Sequence, residues 1–171
     1  MSVFPPMMAW AGIGLPEGVL ALLPYVSPLK ALLGSVILFN TPHMVKLYWT
    51  SKATGGPGGI NNNNPRAQYE ELKSDRGYGD DISRAQAAHS NGLESFPVFG
   101  VGVVACLAVG ADNTLAGKLA CAHLISRVGN NILYMGVSTN FAGGVARSAC
   151  WFVSLLTSCQ LIMLAATKSD Q

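Results

Sequence analysis

A chain of 171 residues is long enough for one compact domain, yet only 12% of it is charged against 50% hydrophobic, about half the charge of an average soluble domain. A net charge of +2 with no basic block argues against nucleic acid as a partner. Half of the charged residues fall between Lys52 and Arg84, which leaves long stretches with almost no charge, the composition of a multi-span membrane protein.

In chain order, the N-terminus MSVFPPMMAWAGIGL carries no Lys or Arg and does not read as a signal or transit peptide. Residues 18–26 are apolar but broken by Pro24 and followed by Pro28, and read as an interfacial lead-in or a bent start to the first helix. Four apolar stretches follow, at about 27–49, 83–111, 114–138 and 142–167. Each approaches or exceeds the ~20 residues that span a bilayer as a helix. Between the first and second lies a polar loop, 50–82, with GGPGG, NNNNPR and a mixed-charge run. Its Gly, Pro and Asn content forbids a span, and 69–73 is long enough only for a short surface helix. No G-K-[ST] follows GGPGG, so it is not a phosphate loop. The remaining connections are short and force antiparallel neighbours. The fold class expected is all-α, a transmembrane four-helix up-down bundle forming a single membrane domain. The first connection holds Lys52, Arg66, Lys73 and Arg76, which places it on the cytoplasmic side and both termini opposite.

The polar residues inside these stretches recur at helical spacing. Arg84, Asn91 and Glu94 share one face of the second helix; His123, Arg127, Asn130 and Tyr134 share one of the third; Arg147, Trp151 and Ser154, with Ser148 beside them, share one of the fourth. Lipid cannot satisfy such stripes, so they face one another or a water-filled cleft. Glu94 and Arg127 carry opposite charge at similar depth, which leads to the expectation of a salt bridge between them inside the bundle. Pro97 removes a backbone hydrogen bond one turn beyond Glu94 and should kink the second helix. Arg147, near the start of the fourth helix and close to Ser148 and Tyr134, suits an anionic ligand near the membrane surface. His89 and His123 read as structural. The four cysteines, Cys106, Cys121, Cys150 and Cys159, lie in apolar stretches and read as small buried residues.

The motif RAQAAHSNGLESFPVF, the third-helix run ISRVGNNILYMG with Arg127 and Tyr134, and RSACW with Arg147 and Ser148 occur in order over about 27–167. Together they resemble the MAPEG family, the membrane-associated proteins of eicosanoid and glutathione metabolism. The resemblance implies a four-helix protomer in a homotrimer, with glutathione as co-substrate in clefts open to the cytosolic face. It implies that Arg84, Asn91, Glu94, Arg127, Asn130 and Tyr134 bind the tripeptide, Arg127 lying beneath and pairing with Glu94. Arg147 and Ser148 would be catalytic, stabilising the glutathione thiolate.

The function expected is a glutathione-dependent transferase or peroxidase acting on lipophilic electrophiles that arrive from the lipid bilayer. The membrane expected is that of the endoplasmic reticulum or mitochondrion. The sequence departs from well-studied family enzymes at Ala87 and Ser90, where they carry additional Arg, and at Asn130, where they often carry His or Tyr. Those departures support a different reading, a non-catalytic accessory subunit among unrelated subunits of a respiratory or photosynthetic membrane complex. A channel is disfavoured, because one short polar stripe per helix makes no continuous pathway.

Overall fold

In the computed structural model, residues 14–137 and 140–171 are described; the N-terminal expectation and part of the third connection lie outside them. Helix α1 (Glu17–Leu22) leads into α2 (Pro28–Ala53), with Pro28 at the first helical position where a missing N–H costs nothing. A single 3-10 turn (Pro57–Gly59) and the short α3 (Pro65–Leu72) follow. Then come α4 (Gly79–Ala108), α5 (Asn113–Ile132) and α6 (Phe141–Ser169). Among the described residues there is no strand.

The helix ends have local causes. Asp112 caps α5 by accepting from the Thr114 and Leu115 amides at 2.8 and 3.1 Å. Asn140 caps α6 through the Gly143 amide at 2.9 Å. Gly110, at φ 62°, takes the left-handed conformation that ends α4. Helix α4 begins at Gly79, a turn before the apolar stretch, because Asp80 and Asp81 suit a first turn where free N–H groups favour negative charge. It continues through Pro97 as one helix. Beyond Ile132, α5 widens into a π-helical turn over Leu133–Val137.

Cross-helix contacts give the topology. Phe39 reaches His89 while Lys46, further along α2, reaches Gln86, earlier on α4, so α2 and α4 are antiparallel. Asn91 meets Arg127 and Phe99 meets His123, so α4 and α5 are antiparallel. Likewise His123 meets Ser154 while Asn130 meets Arg147, which sets α6 against α5. The bundle is therefore up-down-up-down, as the short connections require. Around it the order is α2, α4, α6, α5, with α2 and α6 at opposite corners.

Polarity is graded along the bundle. The apolar cluster of Ala31, Phe99, Val103, Leu119, Leu161 and Leu164 fills the end nearer the termini. Towards the loop end the buried residues are polar: His123, Ser126, Arg127, Asn130, Asn131 and Ser154. Two helices, α4 and α6, are long and apolar enough to cross a membrane by composition alone. By contrast, α2 and α5 spend part of their length on polar residues turned into the bundle, which explains why the spanning signal is weaker in them. The outer faces are apolar, with Leu33, Ile37, Val101, Val104, Ile125 and Phe152 all more than half exposed. This is an integral membrane fold.

Because lipid is as apolar as leucine, close packing and interhelical hydrogen bonds must hold such helices together. Asn131 donates to the Leu38 carbonyl at 2.9 Å, tying α5 to α2. Gly92 lets α4 approach α2: a Cβ there would lie 2.6 Å from Phe39 Cβ and 3.1 Å from Phe39 Cα. Gly92→Ala should therefore lower stability by about 1–3 kcal/mol, read as the unfolding midpoint in detergent. An unchanged midpoint would mean that the two helices do not meet as described.

In the loop, Gln68 accepts from the Asn61 amide at 2.9 Å and donates to the Gly59 carbonyl at 2.7 Å, bracing the turn onto α3. Lys73 pairs with Glu70 at 2.7 Å, and that hydrogen bond raises its pKa above the usual lysine value.

Candidate functional site

Where α4, α5 and α6 converge near the loop end, a cleft of about 210 Å³ is lined by Asn91, Asn130, Tyr134, Arg147, Ser148 and Trp151. Each helix contributes through its spacing. Asn91 projects from the middle of α4; Asn130 and Tyr134 stand one turn apart on α5 and its π turn. Arg147, Ser148 and Trp151 occupy the second and third turns of α6. Because α5 and α6 are antiparallel and joined by a short connection, Tyr134 and Arg147 are brought level.

Arg147 lies with its guanidinium carbon 4.4 Å from the centroid of the Tyr134 ring. Stacking of this kind holds a guanidinium in place without using its N–H groups. Those groups make no hydrogen bond within the described residues, so Arg147 offers a positioned cation with free donors. Beneath it, the Asn130 side chain donates to the Arg147 backbone carbonyl at 3.2 Å, fixing the start of α6. The other Asn130 side-chain atom, Oδ1, is buried without a partner. Ser148 donates to the Gly144 carbonyl at 3.0 Å.

Arg127 lies behind Asn91, outside the cleft lining. It is 3% exposed, and its Nη1 donates to Asn91 Oδ1 at 2.8 Å, while Nη2 is buried without a partner. The expected salt bridge from Glu94 to Arg127 is not formed. Glu94 is exposed and pairs with no cation among the described residues; it lines a separate small crevice with Ser95, Trp151 and Ser154. The depth argument was sound, but depth is one coordinate. Glu94 follows Asn91 by three residues, which rotates it about 60° around α4. That rotation aims Asn91 at α5 and turns Glu94 outward.

Arg84 also stands apart. It lines no part of the cleft, and its Nη2 lies 3.4 Å from Asp81 Oδ1 one turn earlier. Of the eight residues expected at the site, the cleft lining gathers Asn91, Asn130, Tyr134, Arg147 and Ser148, with Arg127 behind Asn91. Trp151, on the same helix face as Arg147, forms one wall and also borders the Glu94 crevice. Its place one turn after Arg147 was the available signal. His89 and His123 are held structurally. His89 Nδ1 is 2.7 Å from the Phe39 carbonyl. The His123 ring stacks on Phe99 at 3.8 Å, with Nδ1 within 3.3 Å of the Ser154 carbonyl and Ser158 Oγ.

The site is thus a polar cleft in an apolar bundle, with one free guanidinium at its mouth and a buried, unpartnered acceptor, Asn130 Oδ1, in its lining. It suits a polar molecule carrying a negative charge near the membrane surface. A family model described as the MAPEG family matches residues 30–167. No curated protein and no solved structure matches the chain.

Proposed function

We propose, from the premise that this chain belongs to the MAPEG family, that it is a glutathione-dependent membrane enzyme, a transferase or peroxidase acting on lipophilic electrophiles. The family includes glutathione transferases and its members are membrane proteins. The observation that carries the reading is Arg147, stacked on Tyr134 with its donors free, at the mouth of a cleft lined also by Asn130, whose Oδ1 is buried without a partner.

In this reading Arg147 lies beside the glutathione sulfur. Only the thiolate is nucleophilic, and a thiol of pKa about 8.5 is about 3% ionised at pH 7. A guanidinium in a cleft of low dielectric favours the anion; two pKa units would correspond to about 2.7 kcal/mol and raise the ionised fraction to roughly three quarters. The proton leaves to water through the open mouth. The thiolate then attacks an electrophilic carbon that has entered from the bilayer: a C–S bond forms, and the displaced group leaves with its electron pair. With a hydroperoxide, the thiolate attacks the terminal oxygen and the O–O bond breaks, giving a glutathione sulfenic acid and an alkoxide that takes a proton from water; a second glutathione then attacks the sulfenic sulfur, releasing water and forming the disulfide. Asn91 and Asn130 orient the peptide, and Ser148 donates to the sulfur by turning its hydroxyl away from the Gly144 carbonyl.

Glu94 belongs to the same proposal through a neighbouring copy. A carboxylate turned outward between apolar residues is costly against lipid. The exposed face of α4 continues from Glu94 through Pro97, Val101 and Val104, a spacing of three and four. A homotrimer packed along this face would remove Glu94 from lipid and place its carboxylate near the glutathione amine.

One observation favours the accessory-subunit reading instead. Among the described residues Arg147 is the only charged one lining the cleft, and glutathione carries two carboxylates. The readings separate on purification. The enzyme binds glutathione in detergent and conjugates a lipophilic electrophile as an assembly of identical copies. The accessory subunit comes out with unrelated chains and binds no glutathione.

A further inference from the structure

On the opposite side of α4 lies a second cleft, of about 530 Å³, walled by α2 and α4 and roofed by α3. It shares no lining residue with the Arg147 site. Its α4 residues, Gln86, His89 and Leu93, lie about half a helical turn around from Asn91.

The charges in this cleft do not balance. Lys46 meets no carboxylate; its Nζ donates to Gln86 Oε1 at 2.8 Å and stands 5.8 Å from the Tyr69 ring centroid. Gln86 in turn donates to Ser90 Oγ at 3.0 Å, so the amide that holds Lys46 is itself fixed. Arg66, on α3, makes no hydrogen bond or ion pair with the described residues. Glu70 is the one acid in the lining, and both its oxygens already lie within 2.9 Å of Lys73. His43 adds a buried Nδ1 with no partner, and the His43 and His89 rings lie 5.1 Å apart.

The position of the cleft identifies who would neutralise those cations. Tyr48, Trp49, Tyr69 and Tyr78 gather at this end, Trp49 stacked on Tyr78 at 5.7 Å, which is the aromatic belt of a membrane–water boundary. Lys46 and Arg66 therefore stand at headgroup depth. Below them the α4 wall turns apolar and outward at Leu93, 45% exposed, and Phe39 of α2 meets Phe96 of α4 further down. A cationic mouth above an apolar groove is complementary to a phosphate that carries hydrocarbon chains.

We propose that this cleft is a binding site for the phosphate headgroup of an anionic phospholipid, with Lys46 and Arg66 as its two cationic contacts and the acyl chains lying along the α2–α4 groove. The site rests on the membrane fold and not on the glutathione reading. The full chain, purified and offered equal phosphatidylglycerol and phosphatidylcholine, should retain the anionic lipid with about tenfold preference, read by native mass spectrometry. Lys46→Gln with Arg66→Gln should abolish that preference. Arg66→Gln alone touches no internal bond and should reduce it about threefold. Lys52→Gln with Arg76→Gln, which removes the same charge from exposed positions outside the cleft, should leave it intact. Arg147→Ala should bind the lipid as the parent does, so that failure of the glutathione site is distinguishable. Inorganic phosphate in excess should not displace the lipid. No preference in the parent protein, equal loss in the Lys52/Arg76 pair, or full displacement by inorganic phosphate would each overturn the assignment, the last in favour of a soluble phosphate.

Discussion

Arg147→Ala should cut glutathione conjugation by about 10²–10³-fold while the unfolding midpoint in detergent stays within about a degree of the parent. The size follows from the single interaction removed, one preorganised cation beside a developing or resident anion in a water-poor cleft. The fold should survive because the Arg147 guanidinium stacks on the Tyr134 ring and no hydrogen bond or ion pair among the described residues depends on it. Its backbone carbonyl, which accepts from Asn130, remains in the variant. Arg147→Lys should recover only part of the rate, since an ammonium keeps the charge but loses the planar stacking on Tyr134. A loss that raised KM alone and left kcat unchanged would mean that Arg147 binds the peptide carboxylates rather than the sulfur.

Asn91→Leu should destabilise the bundle by about 3 kcal/mol or more. Asn91 Oδ1 is the only hydrogen-bond acceptor that the described residues give the buried Arg127 guanidinium, whose Nη2 is already without one. Removing that oxygen leaves a buried cation with nothing to accept from it. Glu94→Ala, by contrast, should leave the isolated protomer as stable or more so, because the carboxylate is exposed among apolar residues and pairs with no cation of the described residues. The pair of variants distinguishes the observed Asn91–Arg127 bond from the salt bridge that charge and depth suggested. Were Glu94→Ala the more damaging of the two in a monomeric preparation, Arg127 would have to be partnered by Glu94 after all.

How these two residues exchange roles shows what a sequence of this kind discloses. Apolar length fixed the number of helices, and the short connections fixed their sense. Helical spacing then predicted which polar residues share a face, so Asn130, Tyr134, Arg147 and Ser148 could be read as neighbours before any coordinates. Spacing says less about which face meets which helix. Asn91 and Glu94 lie on the same broad polar side of α4, and only the packing of α4 against α2, through Gly92 and Phe39, decides that Asn91 points at Arg127. Arg84 stands away from the cleft for a different reason. The apolar stretch begins at 83, but α4 begins at Gly79, which puts Asp81 one turn before Arg84 and within its reach. The cleft at Lys46 and Arg66 was not legible at all, because it joins three elements across a loop of Gly, Pro and Asn whose path no periodicity encodes.

The central claim is that the cleft at Arg147 holds glutathione as its thiolate. Titrating the ultraviolet absorbance of the thiolate with pH, for glutathione bound to the purified parent protein, tests it most directly. The account predicts that the absorbance rises with pH about a midpoint near 6.5, two units below the free thiol at about 8.5, and that Arg147→Ala returns the midpoint to the free value. Bound glutathione that titrates at the free value in the parent protein, or no saturable binding, would contradict it.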